Sequence, residues 1–444
     1  MKKTDTLFIG LMLFSMFFGA GNLIFPPFLG ASSGTSFWPA IAGFVATGVG
    51  LPILVLLAVS LVKGGAQTIG ARVHPLFSTL FMVVIYLSIG PFLAIPRNAN
   101  VAYEMGFKPY LGDSMNQSLF LFMFTTIFFI IVYAISLNPE KMETFMGRWI
   151  TPVLLLSMVI LCVVGFVKLD APFQAPTEAY AAGAFSKGFI EGYNTMDALA
   201  ALAFGIVILT SIQQRGISER KQLTRYTVKA GLIAGVLLSL VYISLGVMGA
   251  RMAADGSFEN GTDILTVAST LLLGTGGKVL LGIIFTLACF TTVVGLTTAC
   301  GQYFSKLFPK LNYKTVILIV TIVGFILSNM GLNQILKVSV PFLVMAYPLT
   351  IVLIVLTFFS RHFKNPKKVY RSAITFTGVF ALIDGLNAFG LQLGPVQTLS
   401  DVLPLSAYGM EWIIPALVGT AFGLLLSQIG QTAPAEELEI ETLY

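Results

Sequence analysis

The chain has 444 residues, 56% of them hydrophobic and only 10% charged, with a mean hydropathy of +0.88. That composition excludes a soluble globular protein and places nearly the whole chain in a bilayer. The net charge of +6 follows from where basic residues sit relative to the membrane and needs no nucleic-acid partner. Cys162, Cys289 and Cys300 lie in apolar segments and the two histidines, His74 and His362, in basic connections, so a zinc centre has almost nothing to be made from.

In chain order, Lys2 and Lys3 precede an apolar run over 7–30. A secretory leader begins the same way, but the many spans that follow favour an uncleaved first helix. Phe18-Gly19-Ala20-Gly21-Asn22 interrupts this run about midway, with Pro26 and Pro27 just beyond, and predicts a helix broken at membrane depth. Non-helical backbone survives there only where protein or a water-filled cavity satisfies its polar groups, so the break marks a ligand or ion pathway. The alternative is that Gly19 and Gly21 simply let two helices pack closely.

Further spans are predicted at 38–62, 76–103, 117–137, 149–168, 187–212, 223–250, 277–305, 315–330, 334–359, 371–391 and 409–428, with 262–273 as a short amphipathic helix outside the membrane. The total is twelve. Placing alternate connections in the cytoplasm leaves Arg97, Lys108, Lys168, Lys187, Arg251, Lys278 and Lys337 outside and the other 19 of the 26 basic residues inside, which puts both termini in the cytoplasm. The acidic run Glu436-Glu437-Leu438-Glu439 reads as a solvated end.

The sixth segment carries a second break, Glu191-Gly192-Tyr193-Asn194-Thr195-Met196-Asp197. Segments one and six each open a set of five, and an odd number of crossings inserts the second set from the opposite face. The expected architecture is therefore a single all-α polytopic membrane domain over 1–444. It comprises an inverted repeat of 7–168 and 187–359 with helices one and six broken, and two further helices over 371–428.

The two breaks supply chemistry. Where helix one resumes after Gly21, free amides and the positive end of the helix dipole can hold a carboxylate. Carbonyls stranded from Ser15 to Phe18 can meet a hard monovalent cation, joined by the hydroxyls of Thr291 and Thr292 and the carbonyl of Ala288 one turn earlier on segment eight. The alternative for these threonines is a hydrogen bond to their own helix backbone. Asp197, a charge near the membrane centre, can face a substrate ammonium or the cation, or else cap its helix or pair with Arg97. Arg97 itself, after Pro96, is expected to snorkel toward the outer surface, with a gate as the second option, and Asp384 to be structural. Phe17, Phe18, Tyr193, Met196, Val293 and Leu296 give the remaining wall an apolar character suited to an aliphatic side chain. No His-Glu-x-x-His motif and no phosphate-binding loop occurs, since Gly276-Gly277-Lys278-Val279 fails in spacing and final residue, so neither a zinc protease nor direct ATP drive is expected.

Phe17 to Pro27, the Glu191–Asp197 stretch and the span order together resemble the bacterial branched-chain amino acid carriers, the BrnQ or LIVCS family. The resemblance covers nearly the whole chain. It implies sodium-coupled uptake of leucine, isoleucine and valine across the bacterial cytoplasmic membrane, with no enzymatic step and no cofactor beyond the coupling ion, on a LeuT-like five-plus-five fold. Carried over residue by residue, it implies substrate contacts at Gly19, Ala20, Gly21 and Asn22, with amides near Ala20 and Gly21 on the carboxylate and the helix-six break at Tyr193, Asn194, Thr195 and Met196 beside them. It implies sodium ligands at Ser15 and Phe18 and in Ala288-Cys289-Phe290-Thr291-Thr292, which is similar to an Ala-x-x-Thr-Ser element with threonine last. Asp197 is carried over less readily. Proton coupling through Asp197 and a passive channel are the rival readings.

Overall fold

The computed structural model describes residues 3–111, 116–254, 256, 258–330, 332–391 and 402–429. Lys2 and the acidic run at 436–439 lie outside them. Every regular element among the described residues is a helix. The first apolar run folds as α1 (Lys3–Phe17) and α2 (Ala20–Ser33). Then come α3 (Phe37–Val45) and α4 (Leu51–Leu61), short α5 (Ala66–Ala71), α6 (Pro75–Leu87) and α7 (Ala94–Gly106), α8 (Gln117–Ser136) and α9 (Thr151–Lys168). The second half runs α10 (Glu178–Glu191), α11 (Asp197–Gln213), α12 (Arg220–Met252), α13 (Gly261–Leu273), α14 (Thr275–Leu307), α15 (Tyr313–Ser328) and α16 (Leu332–Phe359). The last two α-helices among the described residues are α17 (Pro366–Ala388) and α18 (Ile413–Gln428).

Eight helical stretches among the described residues are long and apolar enough to cross a bilayer, or nine when the bent pair α10–α11 counts as one span. Their burial separates lipid-facing helices from central ones. Only 22% of the most apolar window of α8 is buried, against 67% for α14. Accordingly, α8 presents Leu119, Phe122, Ile127 and Ile130 outward, where hydrocarbon is their natural solvent. α14 instead buries Ala288, Thr291, Val294 and Thr298 among its neighbours.

Small residues allow close helix contacts. A Cβ at Gly30 or Gly249 would run into the backbone of the opposing helix, so α2 and α12 pack main chain against main chain. Pro26 and Pro27, expected to reinforce the break, instead lie inside α2. A Gly-x-Ser-x-Gly spelling at residues 30–34 ends α2; it does not follow a strand, so it lacks the setting of a nucleophile elbow.

Three boundaries differ from expectation. The sixth segment starts at Glu178, before 187, because α10 continues through a kink at Gly183. The third segment is interrupted at Ser88–Phe92, where Gly90 leaves helical geometry and Pro91 has no amide to donate. The first helix resumes at Ala20, before Gly21, so only Phe18 and Gly19 are left outside α1 and α2.

Candidate functional site

At the first break Gly19 is extended (φ −115°, ψ −161°), and the first amides of α2 find side-chain acceptors. Gly19 N–H donates to Asn22 Oδ1 at 3.1 Å and Ala20 N–H to Asn98 Oδ1 at 2.9 Å. Glycine is required by crowding: a Cβ on Gly19 would stand 2.7 Å from Asn98 Oδ1 and 2.9 Å from Thr292 Oγ1. At the second break a single 3₁₀ turn, Gly192–Thr195, leads to Met196 in the left-handed region (φ 66°), and α11 starts at Asp197 with its axis bent by 44°. A buried, non-glycine residue held there carries backbone strain of about 1 kcal/mol, which its packing must offset.

The two breaks meet. Asn22 donates from Nδ2 to Asp197 Oδ2 at 2.5 Å and to the Tyr242 hydroxyl, which itself donates to Asp197 Oδ2 at 3.1 Å. Asp197 is 2% exposed and Tyr242, on α12, fully buried. As the first residue of α11, the carboxylate also sits at the positive end of that helix. Burial of this carboxyl is tolerated because these donors replace water.

Arg97 does not snorkel outward. It is 5% exposed, donates from Nη1 to the Asn194 carbonyl at 3.2 Å, and its Nε has no partner. The reason is the inward polar face of α7, where Arg97, Asn98 and Asn100 are all buried and Asn100 holds the Ser328 carbonyl at 2.7 Å.

These groups enclose a cavity of about 20 Å³. Its walls are Met16, Phe17 and Gly19 to Asn22, then Ile89, Ala94, Arg97 and Asn98, then Thr195, Met196, Asp197 and Ala200, and finally Thr292 and Leu296. The volume admits one water molecule and not an aliphatic side chain. Tyr193, Asn194 and Val293 stand behind this lining. Tyr193 stacks on Tyr347 at 4.3 Å between centroids, Asn194 bonds Glu191 at 3.1 Å, and Val293 is fully buried. Thr291 combines both behaviours open to it from sequence. Its hydroxyl lies 3.0 Å from the Leu287 and Ala288 carbonyls of its own helix and 2.8 Å from the Ser15 carbonyl across the gap. Thr292 Oγ1 is 3.5 Å from that same oxygen, while the Phe18 ring stacks on Phe14 at 5.1 Å.

A larger cavity of about 420 Å³ opens toward the face that carries the start of α1. Gly64, Gln67, Tyr86, Ile206, Gln213 and Lys306 are among its walls, and Tyr86 lies flat on Tyr303 at 4.0 Å. Tyr86 of this vestibule and Ile89 of the small cavity are three residues apart, about 5 Å along a helix. The opposite face is closed: Gly43 and Gly188 bring α3 and α10 into backbone contact, and Thr35 N–H and Thr177 N–H tie the 174–177 strap to α2 at 2.9 Å each.

Sequence reasoning missed Met16, Ile89, Ala94, Asn98, Ala200 and Tyr242. Arg97-Asn98-Ala99-Asn100 within an apolar span was a readable polar cluster; Tyr242, 220 residues from Asn22, left no local signal.

Comparison with known proteins bears on the family and the fold. The family model for branched-chain amino acid transport proteins matches residues 2–429. The branched-chain amino acid permease BraB of Bacillus subtilis (strain 168) is 44% identical over 95% of each chain. The permease BrnQ of the same organism is 43% identical over 95% of this chain and 96% of its own. The Pseudomonas aeruginosa branched-chain amino acid transport system 2 carrier protein is 39% identical over 97% of both. These relatives are permeases and carriers, hence transporters and not enzymes. Among solved structures, Mhp1, a nucleobase-cation-symport-1 family transporter in a closed conformation, aligns at TM-score 0.57 and 15% identity over 98% of this chain and 94% of its own. MhsT in complex with L-phenylalanine aligns at TM-score 0.56 and 15% identity over 95% and 98%. The fold is thus LeuT-like, as the resemblance implied, and the chain belongs to the branched-chain amino acid transport protein family.

Proposed function

We propose that this protein is a sodium-coupled symporter that imports leucine, isoleucine and valine by alternating access. The observation that carries the reading is the meeting of two broken helices, through Asn22, Asp197 and Tyr242, around one small cavity. Such breaks expose backbone and helix ends to a ligand at the centre of the bilayer. The substrate ammonium is assigned to Asp197, and its aliphatic chain to Phe17, Met196, Ala200 and Leu296. Sodium, the cargo that drives the cycle, is assigned to the carbonyls of Ser15, Phe18 and Ala288 and the hydroxyls of Thr291 and Thr292, an all-oxygen set suited to a hard cation. Because these ligands come from the end of α1, the break just after it and α14, sodium would favour the state in which the two helices are close, and only by its difference in affinity between states.

The proposed topology is twelve spans, with 7–168 and 187–359 as inverted repeats, 371–428 as two added helices, and both termini cytoplasmic. Its support is charge. Asp5 pairs with Arg215 at 2.7 Å, so the start of α1 and the end of α11 share one face, and Arg220 and Lys306 line the vestibule there. On that orientation the vestibule faces the cytoplasm and serves as the exit route.

Counterflow of labelled leucine into proteoliposomes, in sodium and in choline, tests the reading. Accumulation chased by leucine, isoleucine and valine, and abolished by choline, is the expected result. Leucine uptake that persists in choline on a pH gradient alone defeats sodium coupling and favours a proton carried by Asp197. Conductance without accumulation would make the protein a channel.

A further inference from the structure

We infer that the guanidinium of Arg97 is the group that binds the carboxylate of the transported amino acid, an inference that rests on the transport reading above. The backbone of the first break offers less than its sequence suggests, because the Gly19 and Ala20 amides are already spent on Asn22 Oδ1 and Asn98 Oδ1. The strongest remaining donor at the cavity wall is Arg97. It is 5% exposed, makes a single hydrogen bond to a neutral carbonyl, and keeps Nε buried without a partner. No carboxylate stands within 4.0 Å of it among the described residues.

A guanidinium taken out of water with one neutral acceptor is under-satisfied, and a carboxylate offers the two parallel acceptors that its planar fork matches. Position supports the assignment. A Cβ on Gly21 would lie 3.2 Å from Arg97 Nη2, so the guanidinium rests against the N-terminal turn of α2, whose dipole also attracts an anion. Asp197 lines the same cavity, its carboxyl engaged by Asn22 and Tyr242 at Oδ2 and by the Thr195 hydroxyl. One wall therefore presents a guanidinium and the other a carboxyl, the partners that the two ends of a zwitterion require. Sodium, held near Thr291, need not touch the carboxylate.

The test compares ligands that differ at one end only. Purified wild-type protein, Arg97→Gln and Arg97→Lys are titrated with leucine and with leucinamide, whose carboxylate is replaced by a neutral amide, and affinity is read from the shift in thermal unfolding. Wild type is expected to prefer leucine about 100-fold. Arg97→Gln should lose about that factor for leucine alone and bind both ligands alike. Arg97→Lys should fall between, keeping the charge but not the fork. Cooperative unfolding of each variant shows that it has folded; if Arg97→Gln has not, the wild-type preference and Arg97→Lys decide. Wild type that binds leucinamide as well as leucine, or a variant that keeps the full preference, overturns the inference. Wild type that binds neither leucine nor leucinamide would instead remove the transport reading.

Discussion

Asp197→Asn removes one charge from the centre of the protein while keeping its shape. The amide oxygen can still accept from Asn22 Nδ2 and the Tyr242 hydroxyl, which now lie 2.5 and 3.1 Å from Oδ2, so the contact between the two breaks should persist. On the proposed reading, what is lost is the partner of the substrate ammonium, in a cavity of about 20 Å³ where the single water that fits cannot replace a charge. Removing one member of a buried ion pair costs about 3 kcal/mol, or about two orders of magnitude in leucine affinity. Binding of labelled leucine to the purified protein measures this directly, with thermal unfolding as the check on folding. Counterflow separates the rival role. If Asp197 only carried a proton, exchange of leucine for leucine would survive the substitution while uphill uptake failed. Unchanged leucine affinity together with unchanged sodium dependence would remove Asp197 from the site altogether.

Thr291→Val deletes the hydroxyl that bridges α1 and α14 at 2.8 Å from the Ser15 carbonyl; the sodium concentration for half-maximal uptake should rise about tenfold or more, and an unchanged value would move the ion elsewhere. Gly19→Ala places a methyl 2.7 Å from Asn98 Oδ1, so leucine uptake should fall sharply at normal membrane expression, and full uptake would show the break to be more compliant than described. Arg215→Gln leaves Asp5 and Glu143 without the cation they share, lowering stability by about 1 kcal/mol, seen as a reduced unfolding temperature. A cysteine at Thr210, on the vestibule wall, should react with an impermeant thiol reagent from the cytoplasmic side only; labelling from outside would reverse the proposed orientation.

Much of the fold could be read from the chain because lipid enforces local rules. An apolar run must be helical, and a gap in one must be satisfied by protein or water, so the Gly19 and Met196 breaks were visible without coordinates. The Gly90-Pro91 interruption carried the same kind of signal and was read through, since the segment was long enough to span despite it. Burial of Arg97 is only half legible from its own surroundings. Asn98 and Asn100 beside it mark an inward polar face, but a basic residue after a proline near a helix end fits snorkelling as well, and its acceptor, the Asn194 carbonyl, comes from the other half of the chain. Tyr242 shows the limit more plainly: its role exists only once α12 lies against α2 and α11.

The contrast between the two hollows has a consequence for efficiency. An inner chamber with the volume of one water, beside a vestibule of about 420 Å³, offers a lone ion no wide aqueous path through the centre of the protein. On the proposed reading, that narrowness would itself hold down leakage, with no separate plug. Under the proposed symport, the electrochemical gradient would then be dissipated chiefly on journeys that also deliver a passenger.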